Sequence, residues 1–192
     1  MEEKEILKSI KKEEKINKKK YDIKWILLVI VISVIISILF SLVSESIMPD
    51  VNIIVGIIVM LTFILIGIIF DILGVSVTVA DIRPYHSMAA KKIKGAKTAV
   101  FLSKNASKVS SIFCDIVGDI CGIVSGSAGV YIALKLSNIL SINVLLSSLI
   151  ITGLISGLTI GGKAIGKDYA INNGTTILYR FSKILSFFRK NK

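Results

Sequence analysis

Residues 25–43 read WILLVIVISVIISILFSLV, nineteen positions without a single charge. At 1.5 Å per residue a helix of that length covers most of a hydrocarbon core about 30 Å thick. The run therefore predicts a transmembrane helix, and the rest of the chain follows the same grammar. The sequence has 192 residues, 53% of them hydrophobic, with a mean hydropathy of +0.78. That composition excludes a large soluble domain and predicts one membrane domain with short polar ends. The apolar run starts too late, and with no small-residue cleavage site after it, to read as a signal peptide.

Working outward, residues 1–24 carry nine lysines against six acids and predict an exposed basic arm. Residues 44–50 form a short turn with Glu45, Pro49 and Asp50 and no base. From 51 to 82 the chain stays apolar for 32 residues, too long for one straight crossing, so a bend or break near Gly74 is expected. Pro84 marks the next boundary. Residues 83–108 hold seven bases and no acid, interleaved with Met88, Ile93, Val100, Phe101 and Leu102. That mixture predicts amphipathic helices at the interface, with Gly95 and Asn105 as breaks. A third span runs from about 109 to 136, rich in small and polar residues, followed by a short loop. The fourth covers about 144–161, and its Gly153, Gly157 and Gly161 recur every four residues, a spacing that suits close helix packing. Residues 163–192 predict a basic amphipathic tail along the membrane.

The expected fold is thus all-α and polytopic, with four transmembrane helices plus interfacial amphipathic helices. The domain limits are an arm at 1–24, a membrane domain at 25–162 with its basic segment at 83–108, and a tail at 163–192. Lysine and arginine concentrate in 1–24, 83–108 and 163–192. By the positive-inside rule these segments face the cytoplasm, with both termini inside and the protein in the cell membrane. A net charge of +11 is accounted for this way, and no nucleic-acid motif accompanies it. Anionic lipid headgroups are the partners such blocks predict.

Asp71, Asp115 and Asp119 interrupt the apolar runs. A carboxylate in hydrocarbon costs several kcal/mol unless it meets protein, water or an ion. Asp115 and Asp119 are four apart and share a helical face. Ser110, Ser111, Ser125 and Ser127 add oxygen nearby, and hard cations such as Mg²⁺ take oxygen ligands. Asp71 precedes Gly74, Ser76 and Thr78 by one to two turns. These residues read either as an ion route or as a polar packing seam. Cys114 and Cys121, seven apart, suit neither a metal knuckle nor a redox pair and read as small packing residues. His86 is the only histidine and lies beside the basic segment. GGKAIGK (161–167) lacks the spacing and hydroxyl of a phosphate loop. No catalytic set emerges, so the chain is not expected to be an enzyme.

The order of these pieces resembles the transmembrane domain of the CorB/CorC/CNNM magnesium and cobalt transporter family over roughly residues 51–185. GVSVTVA (74–80) is similar to that family's SGSETA segment. Lys94, Gly95, Ala96 and Lys97 match its Gly-Ala-Lys step. Gly118 and Asp119 stand where it has Gly-Asn. GKAIGK (162–167), with Ala170, resembles GEIxPKxxA. The departures are Val77 at an acidic position, Lys163 for Glu, Gly166 for Pro and Asp119 for Asn. The resemblance implies a divalent metal cation transporter, with a Mg²⁺ or Co²⁺ site rebuilt from Asp71, Ser76, Thr78, Asp115 and Asp119. It further implies a homodimer, through faces such as Gly122/Gly126 and Gly157/Gly161. Nucleotide-binding CBS domains, usual in that family, are not expected in this chain, so a separate cytoplasmic regulatory protein is the corresponding partner. The alternative is a non-transporting scaffold or accessory subunit assembling through glycine-rich helices.

Overall fold

The computed structural model describes residues 23–47 and 51–189. The expected arm before residue 23, the tip of the 44–50 turn and the last three residues lie outside them. Among the described residues every element is helical. In chain order they are α1 (Ile23–Ile47), α2 (Ile53–Val79), α3 (Arg83–Ala90), α4 (Ala96–Lys104), α5 (Ala106–Ser110), a π-helical turn (Ser111–Val117), α6 (Gly118–Leu140) and α7 (Val144–Arg189). Four helical stretches are long and apolar enough to cross a membrane. The chain is an all-α, multi-pass membrane protein.

The chain divides into two compact units after Ile32. In the first, the opening turns of α1 present Ile26, Leu27, Ile30 and Val31 outward, as lipid-facing residues do. The second unit carries everything else, including a bundle of α2, α6 and α7.

Three expectations fail. α2 runs through Gly74 without a break. α7 does not stop at Gly161 but continues unbroken for 46 residues, about 69 Å. The expected amphipathic tail is the second half of this helix, not a separate segment. The third crossing also outruns its expected end. Lys135 and Asn138 are helical, and only residues 141–143 form the loop. Pro84, Gly95 and Asn105 do mark element boundaries.

Glycine sets how closely the three helices approach. A Cβ on Gly162, Gly166 or Gly174 would overlap or crowd Ile68, Ile72 and Val79 of α2. Ala170, fully buried, sits on the same row. The packing stripe of α7 is therefore Gly162–Gly166–Ala170–Gly174. A Cβ on Gly153, Gly157 or Gly161 would meet nothing within 4 Å. One residue is a turn of 100° on a helix, so the two stripes face different ways.

Two apolar clusters follow. Met60, Ile64, Ala128, Ile132 and Ile155 meet in the bundle. There, lipid is as apolar as protein, and close van der Waals packing must supply the stability. Val77, Tyr85, Ala99, Leu102 and Leu178 form the second cluster where α3 and α4 fold against the ends of α2 and α7. The apolar faces of these short basic helices thus find each other. Two hydrogen bonds pin the corner: Asp81 N–H donates to Thr175 Oγ1 (3.2 Å) and the Tyr85 hydroxyl to the Thr175 carbonyl (2.6 Å).

Candidate functional site

α2 and the π-turn/α6 segment pack antiparallel, and their small residues define the register. Gly74 faces Cys114, and Gly67 faces Cys121 at 3.2 Å from its would-be Cβ to the Cys121 Cβ. Further along, Met60 packs with Ala128, while Gly56 faces Ile132. Gly74 is a point of close approach. A methyl there would overlap the Cys114 thiol and lie 3.3 Å from the Ser110 carbonyl. The two cysteines are free and serve as the small partners of these glycines.

Asp115 lies in the π-turn, next to Cys114. Gly118 N–H donates to the Phe113 carbonyl, five residues back. Such turns recur at functional sites because they shift side chains out of the α-helical register. The Cys114 thiol donates weakly to the Asp71 carbonyl at 3.8 Å. Asp71 lies three residues before Gly74 on α2, and Asp115 follows Cys114 in the π-turn. Asp71 is half-buried, and Asp115 is exposed and accepts a 2.5 Å hydrogen bond from Ser111 Oγ.

The remaining expected ligands do not join them. Asp119 is exposed one turn further along α6. Ser76 is fully buried, donates to the Ile72 carbonyl at 2.7 Å and backs onto Gly174. Thr78 is exposed and donates to the Val75 carbonyl at 2.7 Å. Among the described residues no three His, Cys, Asp or Glu side chains gather to hold a metal ion. The five residues are a dispersed set, with Asp71 and Asp115 on the two segments that meet at Gly74 and Cys114.

Their level matters as much as their spacing. The 141–143 loop and the start of α2 share one end, where Lys135 Nζ donates to the Val51 carbonyl. From that end, Asp71 lies about 27 Å along α2, and Lys163 about 28 Å along α7. Gly118 lies about 33 Å along α6. These distances match the hydrocarbon thickness. By helix rise, Asp71, Asp115 and Asp119 lie toward the end of the bundle away from the 141–143 loop.

Lys163 is the residue that sequence reasoning misses. Its position at the end of an uncharged run makes it look like the first residue of a tail. Instead its Nζ reaches 3.6 Å from the Cβ position of buried Gly118, turned toward the helices. The signal is present as GGKAIG (161–166): glycines on both sides make a helix face that a neighbour can approach closely.

At the α2–α3 corner, Asp81 accepts from Arg83 Nε at 3.1 and 3.0 Å and from the Arg83 backbone at 3.0 Å. The Arg83 side-chain hydrogen bond lowers the Asp81 pKa below the ordinary carboxylate value. Burial raises the Tyr85 phenol to about 12. Asp81 is therefore committed to the corner and is no ion ligand.

No family model, curated protein or solved structure matches the chain.

Proposed function

We propose that the chain is a divalent metal cation transporter-like membrane protein, with Asp71 and Asp115 as the entrance for the ion. The supporting observation is the Gly74–Cys114 contact, with Asp71 three residues from Gly74 on one helix and Asp115 next to Cys114 in the π-turn. A hydrated Mg²⁺ or Co²⁺ arriving at this end of the bundle meets two negative charges and the Ser111 hydroxyl. These groups can replace part of its water shell, and no covalent chemistry is required. Asp119 extends the negative field by one turn. The basic segments argue for the cytoplasmic side of the cell membrane at this end, with both termini there and anionic headgroups around α3 and α4. Reconstituted protein should carry Mg²⁺ or Co²⁺ into liposomes, and Asp71→Asn with Asp115→Asn should abolish the flux. Equal flux in wild type and double variant would remove these residues from the path.

A second reading has its own support. Gly122, Gly126, Gly153, Gly157 and Gly161 all have open space where a methyl would stand. Gly122 and Gly126 line a groove between α6 and α7, together with Ser125, Thr152, Ser156 and Thr159. Backbones that open to lipid on one chain are suited to a second helix, as in small-xxx-small pairs. On this reading the chain is a scaffold or accessory subunit that homodimerises or binds a partner through the groove, including a separate regulatory protein. A stable dimer without ion flux would favour it.

A further inference from the structure

We propose that the cleft between the start of α4 and the last turns of α7 is a seat for a phosphate group, carried by a soluble molecule or by a lipid headgroup. It is a second site, independent of the Asp71 and Asp115 carboxylates. The cleft has a volume of about 410 Å³ and is lined by Lys94, Gly95, Lys183, Ser186 and Phe187. That volume is in the range of small-molecule sites. Both charged side chains in its walls are cationic, one from each side. Among the described residues the sole ion pair is Arg83 with Asp81, so neither lysine is neutralised by a carboxylate. Both lysines are exposed, and the sequence holds no acid from 83 to 108 or from 169 to 192. An anion entering the cleft therefore meets charge of one sign.

Backbone contacts hold the two walls together. A Cβ on Gly95 would stand 2.8 Å from the Lys183 Cα, so the chain next to Lys94 rests directly on the backbone of Lys183. One turn earlier on α7, the Tyr179 hydroxyl donates to the Lys94 carbonyl at 3.4 Å. Gly95 is also the N-cap of α4, so the cleft opens at the positive end of that helix. Ala96 N–H donates to the Ile93 carbonyl and Ala99 N–H to the Gly95 carbonyl, while the Lys97 and Thr98 N–H groups have no acceptor among the described residues. Amides left open at a helix start favour an anion. A phosphate monoester carries about −1.5 to −2 at pH 7 and offers three acceptor oxygens. That charge answers both ammonium groups, whereas a single carboxylate answers one. Phe187, 78% exposed, supplies an apolar wall for the rest of the ligand.

The test uses the full chain in nanodiscs and two probes. In discs of phosphatidylcholine, inorganic pyrophosphate is titrated by calorimetry at fixed ionic strength. In discs doped with a phosphatidylinositol phosphate, retained lipid is counted by native mass spectrometry. Lys94→Gln/Lys183→Gln removes the charge of the cleft. Lys91→Gln/Lys92→Gln removes the same charge from the neighbouring turn and leaves the cleft lining intact. All four side chains are exposed, and circular dichroism checks that each variant folds. We expect at least one probe to bind wild type, with binding weakened more than about tenfold in the first variant and less than about twofold in the second. Pyrophosphate binding with this pattern identifies a soluble phosphate ligand, and retention of the phosphoinositide alone identifies a headgroup. If neither probe binds folded wild type, or both variants weaken binding equally, the cleft is no phosphate seat and its lysines add only to a diffuse field. No metal enters either readout, so the outcome is separate from that of the cation reading.

Discussion

Gly74 of α2 and Cys114 of the π-helical turn face each other so closely that a single methyl on Gly74 would overlap the thiol. Asp71 lies three residues from Gly74, and Asp115 is next to Cys114. Replacing Gly74 with leucine should force the two segments apart, at a cost of about 3 kcal/mol or more. Thermal unfolding in detergent micelles measures it. A stability unchanged from wild type would mean that the segments do not meet this way.

The glycines of α7 make opposite predictions according to the face they occupy. A Cβ on Gly166 would lie 2.7 Å from Ile72 Cγ1, whereas one on Gly157 would meet nothing within 4 Å. Gly166→Leu should therefore destabilise the fold by roughly 1–3 kcal/mol. Gly157→Leu should leave the monomer's melting temperature intact and weaken self-association only. Melting curves with cross-linking in native membranes separate the two effects. Normal dimers from a folded Gly157→Leu protein would show that the dimer seam lies elsewhere.

Gly95 combines two demands. Its φ is +84°, and a Cβ would stand 2.8 Å from the Lys183 Cα. Backbone cannot step aside as a flexible side chain does. Gly95→Ala should cost about 2–3 kcal/mol by left-handed strain and crowding together. Proteolysis of the α4–α7 contact should speed up accordingly.

Leu178, fully buried in the second cluster, tests the region beyond the bilayer. Leu178→Ala should lose about 2–5 kcal/mol. Calorimetry on the detergent-solubilised protein reads this loss. A change under about 0.5 kcal/mol would place that cluster among surface sites.

Alkaline pH should act through Tyr85. Its folded pKa is raised by burial from 10.0 to about 12. A raised pKa means the contribution is complete below the unfolded value and fades as pH climbs through the folded one. Stability from this phenol should thus fall between pH 10 and about 12. Tyr85→Phe should lose the hydrogen bond to the Thr175 carbonyl, about 1 kcal/mol at neutral pH, and show a flatter alkaline limb. Matched pH titrations of the two proteins by circular dichroism give the comparison.

Much of the architecture is legible in the residues themselves. Uncharged runs of span length, separated by lysine-rich blocks, are enough to read four crossings. Pro84, Gly95 and Asn105 are legible as boundaries because each weakens a helix locally. What is not legible is which way a glycine acts. Gly74 can break a helix or admit a neighbour, and only Cys114, forty residues away, decides between them. The sequence pattern places the α7 stripe one position off, since Gly161 and Gly162 are adjacent and only packing against Ile68 selects the second. The π-turn has no period of its own in the sequence. Lys163 is hidden because a charge after an apolar run looks like an exit from the membrane. Of the candidate site, Asp71 and Asp115 fall on the two segments that the Gly74–Cys114 contact joins. Ser76 and Thr78 bond to their own helix instead, as hydroxyls commonly do in apolar surroundings.

The central claim is that Asp71 and Asp115 admit a divalent cation. Mg²⁺ and Co²⁺ uptake by proteoliposomes tests it most directly, comparing wild type with Asp71→Asn/Asp115→Asn at equal reconstitution. The account predicts uptake by wild type and none above protein-free liposomes for the variant. Uptake that is equal in both, or absent from folded wild type, would contradict it.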